Sequence, residues 1–378
     1  MSDTVTETPF YYPGLEQYTE EELSKLGSVA IACEAPLVKA DRIAYVLFER
    51  PDLDQQETFL LDFGLVTYEN TDNALFMRGC DDQPYCFVAL KGDTPRYLGC
   101  GFFVDSREEL QTLAEAGENA SPIEPLSWPG GGERVRMHDP DGFIVDVIYG
   151  RNTVEPLAHR EEPLPVNTPN NKARINQGQR REFAPSKVVR LGHVAMMATD
   201  YARSIKWYTK HLGILLSDNL CLHDGTPTLS FTRLDRGDKP ADHHTLAIAG
   251  GPLPMVMHVA FETVDIDEIG QGQQYLKTKG WDHHWGIGRH ILGSQVFDYW
   301  RDPYGTEFEH YADGDVFTAD QPAGHAFFDQ GGLWQWGDDY PVAQPPELPE
   351  EMLQPEPRKD YLMKWQKALG RFARPWLK

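Results

Sequence analysis

The sequence predicts an α+β fold in which one domain occurs twice in tandem. Three pairs of segments correspond, in the same order, in the two halves of the 378-residue chain. They are residues 42–52 with 190–200, the strand ends at 103–105 and 263–265, and the turns at 138–142 and 301–305. A repeat period this long indicates a duplicated domain rather than a solenoid of short repeats.

Local signals predict the elements of the first half, which spans residues 27–151. In chain order they are a strand at 43–48, a helix at 53–63, a strand at 98–105, a helix at 107–116 and a hairpin at 135–149. Ser106 and Glu109 have the spacing of a capping box, which fixes the start of the second helix. Gly64 and Gly117 are glycines of the kind that follow a helix.

The second half, residues 188–314, repeats this order. After Asp200, apolar residues at helical spacing predict a helix that ends at Gly213. Later strands and a second helix lead to a final hairpin, as in the first half. The common order of elements makes corresponding positions of the two halves directly comparable.

The last hairpin of the second half is the most informative stretch of the chain. Strands are predicted at residues 295–300 and 306–311, with a Pro- and Gly-containing turn between them. Side chains alternate along a strand, so Glu307 and Glu309 share one face with Tyr311. A carboxylate on an inner face is costly unless it is paired or bound to a metal. This stretch therefore points to a site.

Three segments lie outside the two domains. They are an acidic N-terminal arm at residues 1–26 with a short helix at 19–26, a linker at 152–187, and a C-terminal tail at 315–378. The tail contains a Pro-rich run at 345–357 and a basic amphipathic segment at 359–372. We expect the tail to pack on the second domain or on a partner subunit, and we assign the linker no chemistry.

Composition narrows the class of protein. The formal charge of −23 disfavours nucleic acid and anionic membranes as partners. No apolar run is long enough to span a bilayer, and the first residues are acidic rather than those of a signal peptide. The five cysteines lack zinc-like spacing. We therefore expect a cytoplasmic protein with free thiols.

The two halves differ where the second carries side chains that can bind a metal. The paired positions are Tyr45 and His193, Gly99 and His258, and Asp146 and Glu309. Two histidines and one carboxylate on three strands are the composition of the facial triad that binds non-heme Fe(II) and leaves coordination positions open. Either histidine alone would more simply be a satisfied core residue. Together the three residues predict one metal site per chain, in the second half.

Three more residues are candidates for catalysis near this metal: His244, His290 and Tyr299. We expect His244 to open a strand that neighbours the strand of His258. The alternative for His290 is a histidine in a surface loop, and the alternative for Tyr299 is a tyrosine packed in its strand. The remaining histidines of this region are predicted to lie in loops or to support the site from behind: His243, His283 and His284.

Four motifs carry a resemblance to a known family. They are GHV (192–194), HHTLAI (243–248), MHVAFE (257–262) and the long segment 288–311. The second half resembles the catalytic domain of type I extradiol ring-cleavage dioxygenases, in the vicinal-oxygen-chelate superfamily. The resemblance implies two tandem domains of paired βαβββ modules, with iron in the C-terminal domain.

The resemblance also implies a role for each candidate residue. His193, His258 and Glu309 are the expected Fe(II) ligands, His244 the acid–base group, Tyr299 a hydrogen-bond partner of the catecholic oxygen, and His290 a residue of the substrate side. Some relatives carry an acidic residue three positions after the histidine of GRH. Here that position is Gly293, which leaves the outer contacts of the substrate open.

The expected activity is insertion of both atoms of O2 next to the diol of a catechol-type aromatic, in the catabolism of aromatic hydrocarbons. The product is a ring-opened muconic semialdehyde type, and we expect a homo-oligomer. Three alternatives stay open. They are a glyoxalase-like lyase or isomerase of the same superfamily, a Mn(II) variant, and a metal-free binding protein.

Overall fold

The computed structural model describes residues 18–328, 334–341 and 356–369. In chain order the first half comprises α1 (Glu20–Leu23), β1 (Arg42–Arg50), α2 (Leu53–Phe63), β2 (Val66–Asn70), β3 (Ala74–Arg78), β4 (Phe87–Lys91), β5 (Arg96–Phe103), α3 (Arg107–Ala116), β6 (Glu124–Pro125), β7 (Glu133–His138) and β8 (Ile144–Tyr149). The second half and tail comprise β9 (Arg190–Ala198), α4 (Tyr201–Leu212), β10 (Ile214–Cys221), β11 (Pro227–Leu234), β12 (Ala241–Asp242), β13 (Leu246–Gly250), β14 (Met255–Glu262), α5 (Ile266–Lys279), β15 (Asp282–Arg289), β16 (Val296–Arg301), β17 (Glu307–Ala312), β18 (Val316–Phe317), β19 (Gly324–Phe327) and α6 (Glu356–Leu369).

Each half is built around one curved sheet made of two βαβββ modules. The first sheet has the order β2-β3-β4-β1-β5-β8-β7-β6, and the second has β15-β16-β17-β14-β9-β13-β11-β10-β19. In each sheet the first strands of the two modules pair antiparallel at the centre, β1 with β5 and β9 with β14. Each of these strands also pairs in parallel with the last strand of its own module. This arrangement confirms the predicted α+β fold of duplicated domains.

Helix boundaries follow the capping residues that the sequence supplies. The side chain of Asp52 accepts a hydrogen bond from the backbone N–H of Gln55, and α2 ends at Gly64, which has φ 113°. Asp200 caps α4 in the same way. Asp and Ser satisfy backbone N–H groups that a helix start leaves unpaired. These caps explain why the predicted helix limits agree with the structure.

Two predicted elements differ from the structure in length or register. The N-terminal helix predicted at residues 19–26 is α-helical only over Glu20–Leu23, since i→i+3 hydrogen bonds from Lys25 and Leu26 tighten the chain after it. The strands of the last hairpin begin and end one residue later than predicted. Strand ends depend on pairing with neighbours, which local sequence does not specify.

One hydrophobic core runs through both halves. The ring of Phe308 on β17 packs against Phe59 and Phe63 of α2 with centroid separations of 5.2 and 5.7 Å. Beside it, Arg50 of β1 donates to Asp302 in the last turn at 2.9 Å, and both side chains are buried. The two halves therefore share a core and a buried ion pair.

The linker and the tail both lie against the domains. Among the described residues, 152–187 form no helix or strand, and Arg160 of this segment pairs with Asp265 at 2.8 Å. In α6, Leu362, Trp365 and Ala368 are buried, and Trp365 and Ala368 belong to an apolar cluster with β10 and β11 residues. The tail thus packs on the second half, which is one of the two alternatives expected for it, the other being a partner subunit. Residues 1–17 of the predicted arm, 345–355 of the Pro-rich run and 370–372 of the basic segment lie outside the described residues.

Among the described residues, no helix combines the length and the apolarity needed to cross a membrane.

Candidate metal centre

Three adjacent strands bring the predicted metal ligands together. His193 on β9 lies opposite Ala260 of β14, and Ala260 lies opposite Glu309 of β17. His258 is two residues before Ala260, so its side chain points to the same face of β14. The register of β14 against β9 shifts on either side of this segment. The three side chains therefore converge on one face of the sheet although they are far apart in sequence.

The three ligand atoms form a small triangle. His193 Nε2 lies 3.3 Å from His258 Nε2 and 3.1 Å from Glu309 Oε2. His258 Nε2 lies 3.4 Å from Glu309 Oε2. Two ligands about 2.1 Å from one metal ion and at a right angle to each other are about 3.0 Å apart. The triangle therefore matches one face of an octahedron around a divalent ion.

The burial of the carboxylate also fits a metal ion. Glu309 is fully buried, and its Oε1 has no hydrogen-bond partner among the described residues. His290 Nε2 lies 3.7 Å from that oxygen. A buried carboxylate without an arginine or lysine partner is costly, and a divalent cation removes that cost. Over the described ranges, no second group of three such ligands was found.

The protonation of the ligands suits metal binding. Burial lowers the pKa of His258 to about 4, with the charge of Glu309 opposing that shift. Burial raises the pKa of Glu309, but the neighbouring imidazoles of His193, His290 and His258 outweigh it and hold this pKa well below its usual range. At neutral pH His258 is therefore neutral and Glu309 ionised. These are the forms that bind a metal without first releasing a proton.

His244 lies beside the triangle, but its strand is not where we expected it. The strand that it precedes, β13, neighbours β9, which carries His193, and not β14, which carries His258. The expectation was wrong because a strand has only two edges, and β14 already uses its edges for β9 and β17. The His244 ring is still 4.1 Å from the His193 ring. Burial, and then the neighbouring His193 and His243, lower the pKa of His244 well below its usual value.

Tyr299 and His290 form the opposite side of the site. Tyr299 on β16 lies directly opposite Glu309, and its ring is 5.1 Å from the ring of His258. His290 Nε2 lies 3.1 Å from Tyr299 Oη. Burial and then the charge of Glu309 raise the pKa of Tyr299 well above its ordinary value. Tyr299 therefore stays protonated and able to donate a hydrogen bond.

Three histidines were predicted to lie in loops or to support the site from behind: His243, His283 and His284. Two of them are strand residues. His283 and His284 lie in β15, and they pair with Asp298 at 2.8 Å and Glu307 at 2.9 Å. The prediction for these two was a loop or a position that supports the site from behind, and the loop alternative is wrong because consecutive polar residues do not show the alternation that marks a strand. His243 does lie between strands, and its ring contacts His244.

Sequence reasoning missed one residue of the site. Asp218 Oδ2 lies 2.7 Å from His243 Nε2, on β10. Nothing in the local sequence marks this aspartate, since the contact depends on the pairing of β10 with β11 and of β11 with β13.

Comparison with known proteins agrees with this geometry. Residues 190–310 match the family model described as Glyoxalase/Bleomycin resistance protein/Dioxygenase superfamily. "Metapyrocatechase 2" of Cupriavidus necator is 32% identical over 305 residues, which cover 79% of this chain and 89% of that protein. "Iron-dependent extradiol dioxygenase" of Rhodococcus jostii is 25% identical, with 80% of this chain and 98% of that protein covered.

Solved structures share the fold. The Mn(II)-bound glyoxalase from Novosphingobium aromaticivorans superimposes with a TM-score of 0.65 at 24% identity and covers 80% of this chain and 93% of its own. An extradiol ring-cleaving dioxygenase from Brevibacterium fuscum gives a TM-score of 0.64 at 23% identity and covers 78% of each chain. At these identities the likeness concerns the fold alone.

Paired βαβββ modules and the family match place the chain in the vicinal-oxygen-chelate superfamily. Two histidines and a glutamate on one sheet face form its candidate metal site. Within that superfamily, the relatives that match over most of their length are named as extradiol dioxygenases or metapyrocatechase. The chain belongs to the type I extradiol ring-cleavage dioxygenases.

Proposed function

We propose that His193, His258 and Glu309 hold Fe(II), and that the enzyme cleaves a catechol-type ring next to its two hydroxyl groups. Both atoms of O2 enter the product, a ring-opened muconic semialdehyde type. The observation that carries this proposal is the triangle of ligand atoms, 3.1 to 3.4 Å on each side, on one sheet face. The iron dependence named for the Rhodococcus jostii relative and the metapyrocatechase name of the Cupriavidus necator relative support it.

His193, His258 and Glu309 would hold the ion on one face of the sheet. When bound, Fe(II) supplies a Lewis acid with open coordination positions. The two neighbouring oxygens of a catechol suit such positions because they chelate. Holding both reactants in one buried site replaces a chance encounter by a fixed orientation.

His244 is the proton carrier in this proposal. Its ring lies 4.1 Å from that of the ligand His193 and is almost fully buried. The lowered pKa keeps the imidazole neutral before reaction, so it can accept the proton that a catechol hydroxyl loses. The same nitrogen can return that proton to an oxygen of the ring-opening product. A neutral, buried imidazole is suited to both transfers.

Tyr299 and His290 orient the substrate in this proposal. Tyr299 keeps its proton and can donate a hydrogen bond to a substrate oxygen beside Glu309. His290 lies within hydrogen-bond distance of the Tyr299 hydroxyl and fixes its direction. Trp285 and Phe297 pack on the His290 ring and hold it in place, with centroid separations of 5.6 and 4.1 Å.

A glyoxalase-like lyase or isomerase is the second candidate, since a Mn(II)-bound glyoxalase has the same fold. The pairing of a buried proton carrier, His244, with the protonated Tyr299 favours the dioxygenase. A metal-free binding protein is disfavoured by the complete ligand set. Assembly into a homo-oligomer stays a prediction that light scattering of the purified protein can test.

The deciding experiment measures O2 uptake by anaerobically Fe(II)-loaded protein given a panel of catechols. We expect uptake of one O2 per catechol, with a coloured semialdehyde-type product. The same measurement on a Mn(II)-loaded sample shows which metal supports turnover. Turnover of a hemithioacetal without O2 uptake would replace the dioxygenase proposal by the lyase.

A further inference from the structure

A chain of three polar side chains, of which the two histidines are buried and the aspartate is partly exposed, leads away from the candidate metal centre. His243 Nδ1 lies 3.0 Å from His244 Nδ1, and His243 Nε2 lies 2.7 Å from Asp218 Oδ2. His243 and His244 are 1% and 4% exposed, so water does not compete for the contact between them, whereas the Asp218 side chain is 13% exposed. The order Asp218, His243, His244 therefore forms a continuous hydrogen-bonded relay that ends beside the ligand His193.

The donors and acceptors of this relay can be assigned from chemistry. A carboxylate only accepts hydrogen bonds, so the proton between Asp218 and His243 sits on His243 Nε2. A neutral imidazole carries one proton, which makes His243 Nδ1 an acceptor. The short contact between the two Nδ1 atoms then requires that His244 Nδ1 donates. His244 is thereby left with an unprotonated Nε2.

We propose that Asp218 and His243 are positioning residues that hold His244 as its Nδ1–H tautomer, with the Nε2 lone pair free to take the substrate proton. This inference rests on the acid–base role proposed for His244. It adds that the role depends on a second histidine and on a carboxylate from another strand. When His244 is protonated at Nε2, its Nδ1–H still donates to His243, and Asp218 stabilises the positive charge through that ring.

The backbone around His243 is held as a positioning role requires. The N–H of His243 donates to Asp315 O at 2.8 Å, and the N–H of Asp315 donates to Gly293 O at 2.8 Å. Gly293 has φ +77°, and a Cβ there would stand 2.8 Å from His243 Nδ1. A side chain at position 293 would therefore strain the backbone and collide with the nitrogen that accepts from His244.

Comparison with the first half shows that the relay is not a by-product of the fold. The backbone bond from Val46 to Cys86 corresponds to that from Val194 to Thr245. Counting back from it places Tyr85 at the position of His244 and Pro84 at that of His243. A proline side chain offers no hydrogen bond. The relay thus accompanies the metal ligands and is absent from the half in which those ligands are replaced.

The position of Asp218 on β10 also differs between the two halves. A register shift separates Leu216 from Asp218 where β10 pairs with β11, and a similar shift precedes Glu69 where β2 pairs with β3. By strand pairing Glu69 is the counterpart of Asp218, yet it is exposed. The bulge occurs in both halves, whereas the part-buried carboxylate–histidine contact occurs in the second half alone.

The direct test is ¹⁵N NMR of histidine side chains in full-length protein loaded with diamagnetic Zn(II). The His244 signals are identified by their loss in His244→Phe. We expect the Nδ1–H tautomer in the parent protein and in His243→Asn, whose amide can still accept at the Nδ1 position. We expect that tautomer preference to be lost in His243→Phe. An Nε2–H tautomer in the parent overturns the proposal.

Kinetics of the Fe(II)-loaded enzyme with catechol give the second readout. His243→Phe should lower kcat by about 10- to 100-fold with little change of KM, and His243→Asn should recover part of that loss. In a His244→Phe background, His243→Phe should cause no further loss, because it acts only through His244. The control is His223→Phe, which breaks the carboxylate contact with Glu22 outside the site and should leave kcat unchanged.

The outcomes separate the relay from the proposed function. If His244→Phe keeps full turnover, the acid–base role of His244 falls, and the tautomer still decides whether the relay exists. If His244→Phe is inactive while His243→Phe retains parental kcat and tautomer, the relay proposal is overturned. Should His243→Phe fail to fold, Asp218→Leu removes the carboxylate and is judged by the same tautomer and the same kcat.

Discussion

Tyr45 and His193 occupy the same position in the two halves of the chain, each opposite a small residue of the central strand pair, Gly101 and Ala260. The Tyr45 hydroxyl donates to Asp146 at 2.5 Å, whereas His193 Nε2 lies 3.1 Å from Glu309 Oε2. The same position of the fold thus makes an internal hydrogen bond in the first half and provides a proposed metal ligand in the second.

The buried carboxylate of the first half is neutralised without a metal. Arg136, which stands where the second half has Tyr299, donates to both oxygens of Asp146 at 2.8 Å. The second half has an uncharged tyrosine at this position, so Glu309 is left for a cation. The exchange of arginine for tyrosine leaves the carboxylate of the second half without the arginine partner that its first-half counterpart has, as the proposed metal site requires.

Glu309→Ala is expected to weaken Fe(II) binding at least about 100-fold, since it removes the charged ligand. Iron content after desalting of anaerobically loaded protein measures the effect. The matched control is Asp146→Ala at the equivalent position of the first half, which should keep the parental iron content. Equal iron loss in both variants would point to a folding defect and not to a lost ligand.

His244→Phe is expected to keep iron and lose turnover by a factor of about 10² to 10⁴, the range of a lost acid–base group. The phenylalanine preserves the ring packing against His193 and Phe231. Iron content and steady-state O2 uptake with catechol provide the two measurements. Parental kcat in the iron-replete variant would remove His244 from the mechanism.

Tyr299→Phe is expected to lower kcat/KM about 10-fold, the worth of one buried hydrogen bond in a well-ordered site. The aromatic stack on Trp285, at 5.3 Å, is kept by the phenylalanine. Anaerobic substrate titration and O2 uptake separate an effect on binding from one on turnover. An unchanged kcat/KM would mean that the hydroxyl does not contact the substrate.

Arg50→Met is expected to reduce the free energy of unfolding by about 3 to 5 kcal/mol, because it leaves Asp302 buried without its cation. Urea unfolding followed by fluorescence gives the value. Lys279→Met breaks the more exposed contact with Asp62, which also joins the two halves, and should change stability little. Similar losses in the two variants would contradict the importance of burial.

The metal-free protein is expected to lose stability as pH falls from about 7 to 5, in part through His310. Burial lowers the pKa of this histidine from 6.5 to about 4, with a hydrogen bond to the Phe63 carbonyl opposing the shift. The unfolded chain therefore binds the proton first, so stability is fully present above pH 6.5 and falls as pH approaches 4. His310→Gln should flatten this dependence in urea unfolding at the two pH values. An unchanged slope would exclude His310 as a contributor.

The three side chains that the structure brings together could be predicted because the repeat supplied an internal comparison. His193 and Glu309 stood out against Tyr45 and Asp146 at matching positions, and strand alternation fixed the face on which they lie. The long motif at residues 288–311 then indicated the family, and the relatives confirm it. Local caps such as Asp52 and Asp200 fixed the helix limits for the same reason, since they act within one turn.

The sequence by itself determined the duplicated α+β fold, the helix limits and the residue types of the metal centre, because these depend on short-range pattern and on comparison of the halves. Only the tertiary structure decided which strands are neighbours. It placed the strand after His244 beside β9, made β15 a strand, and brought Asp218 to His243. Such contacts arise from pairing between segments distant in the chain, and local propensity carries no information about which edges will meet.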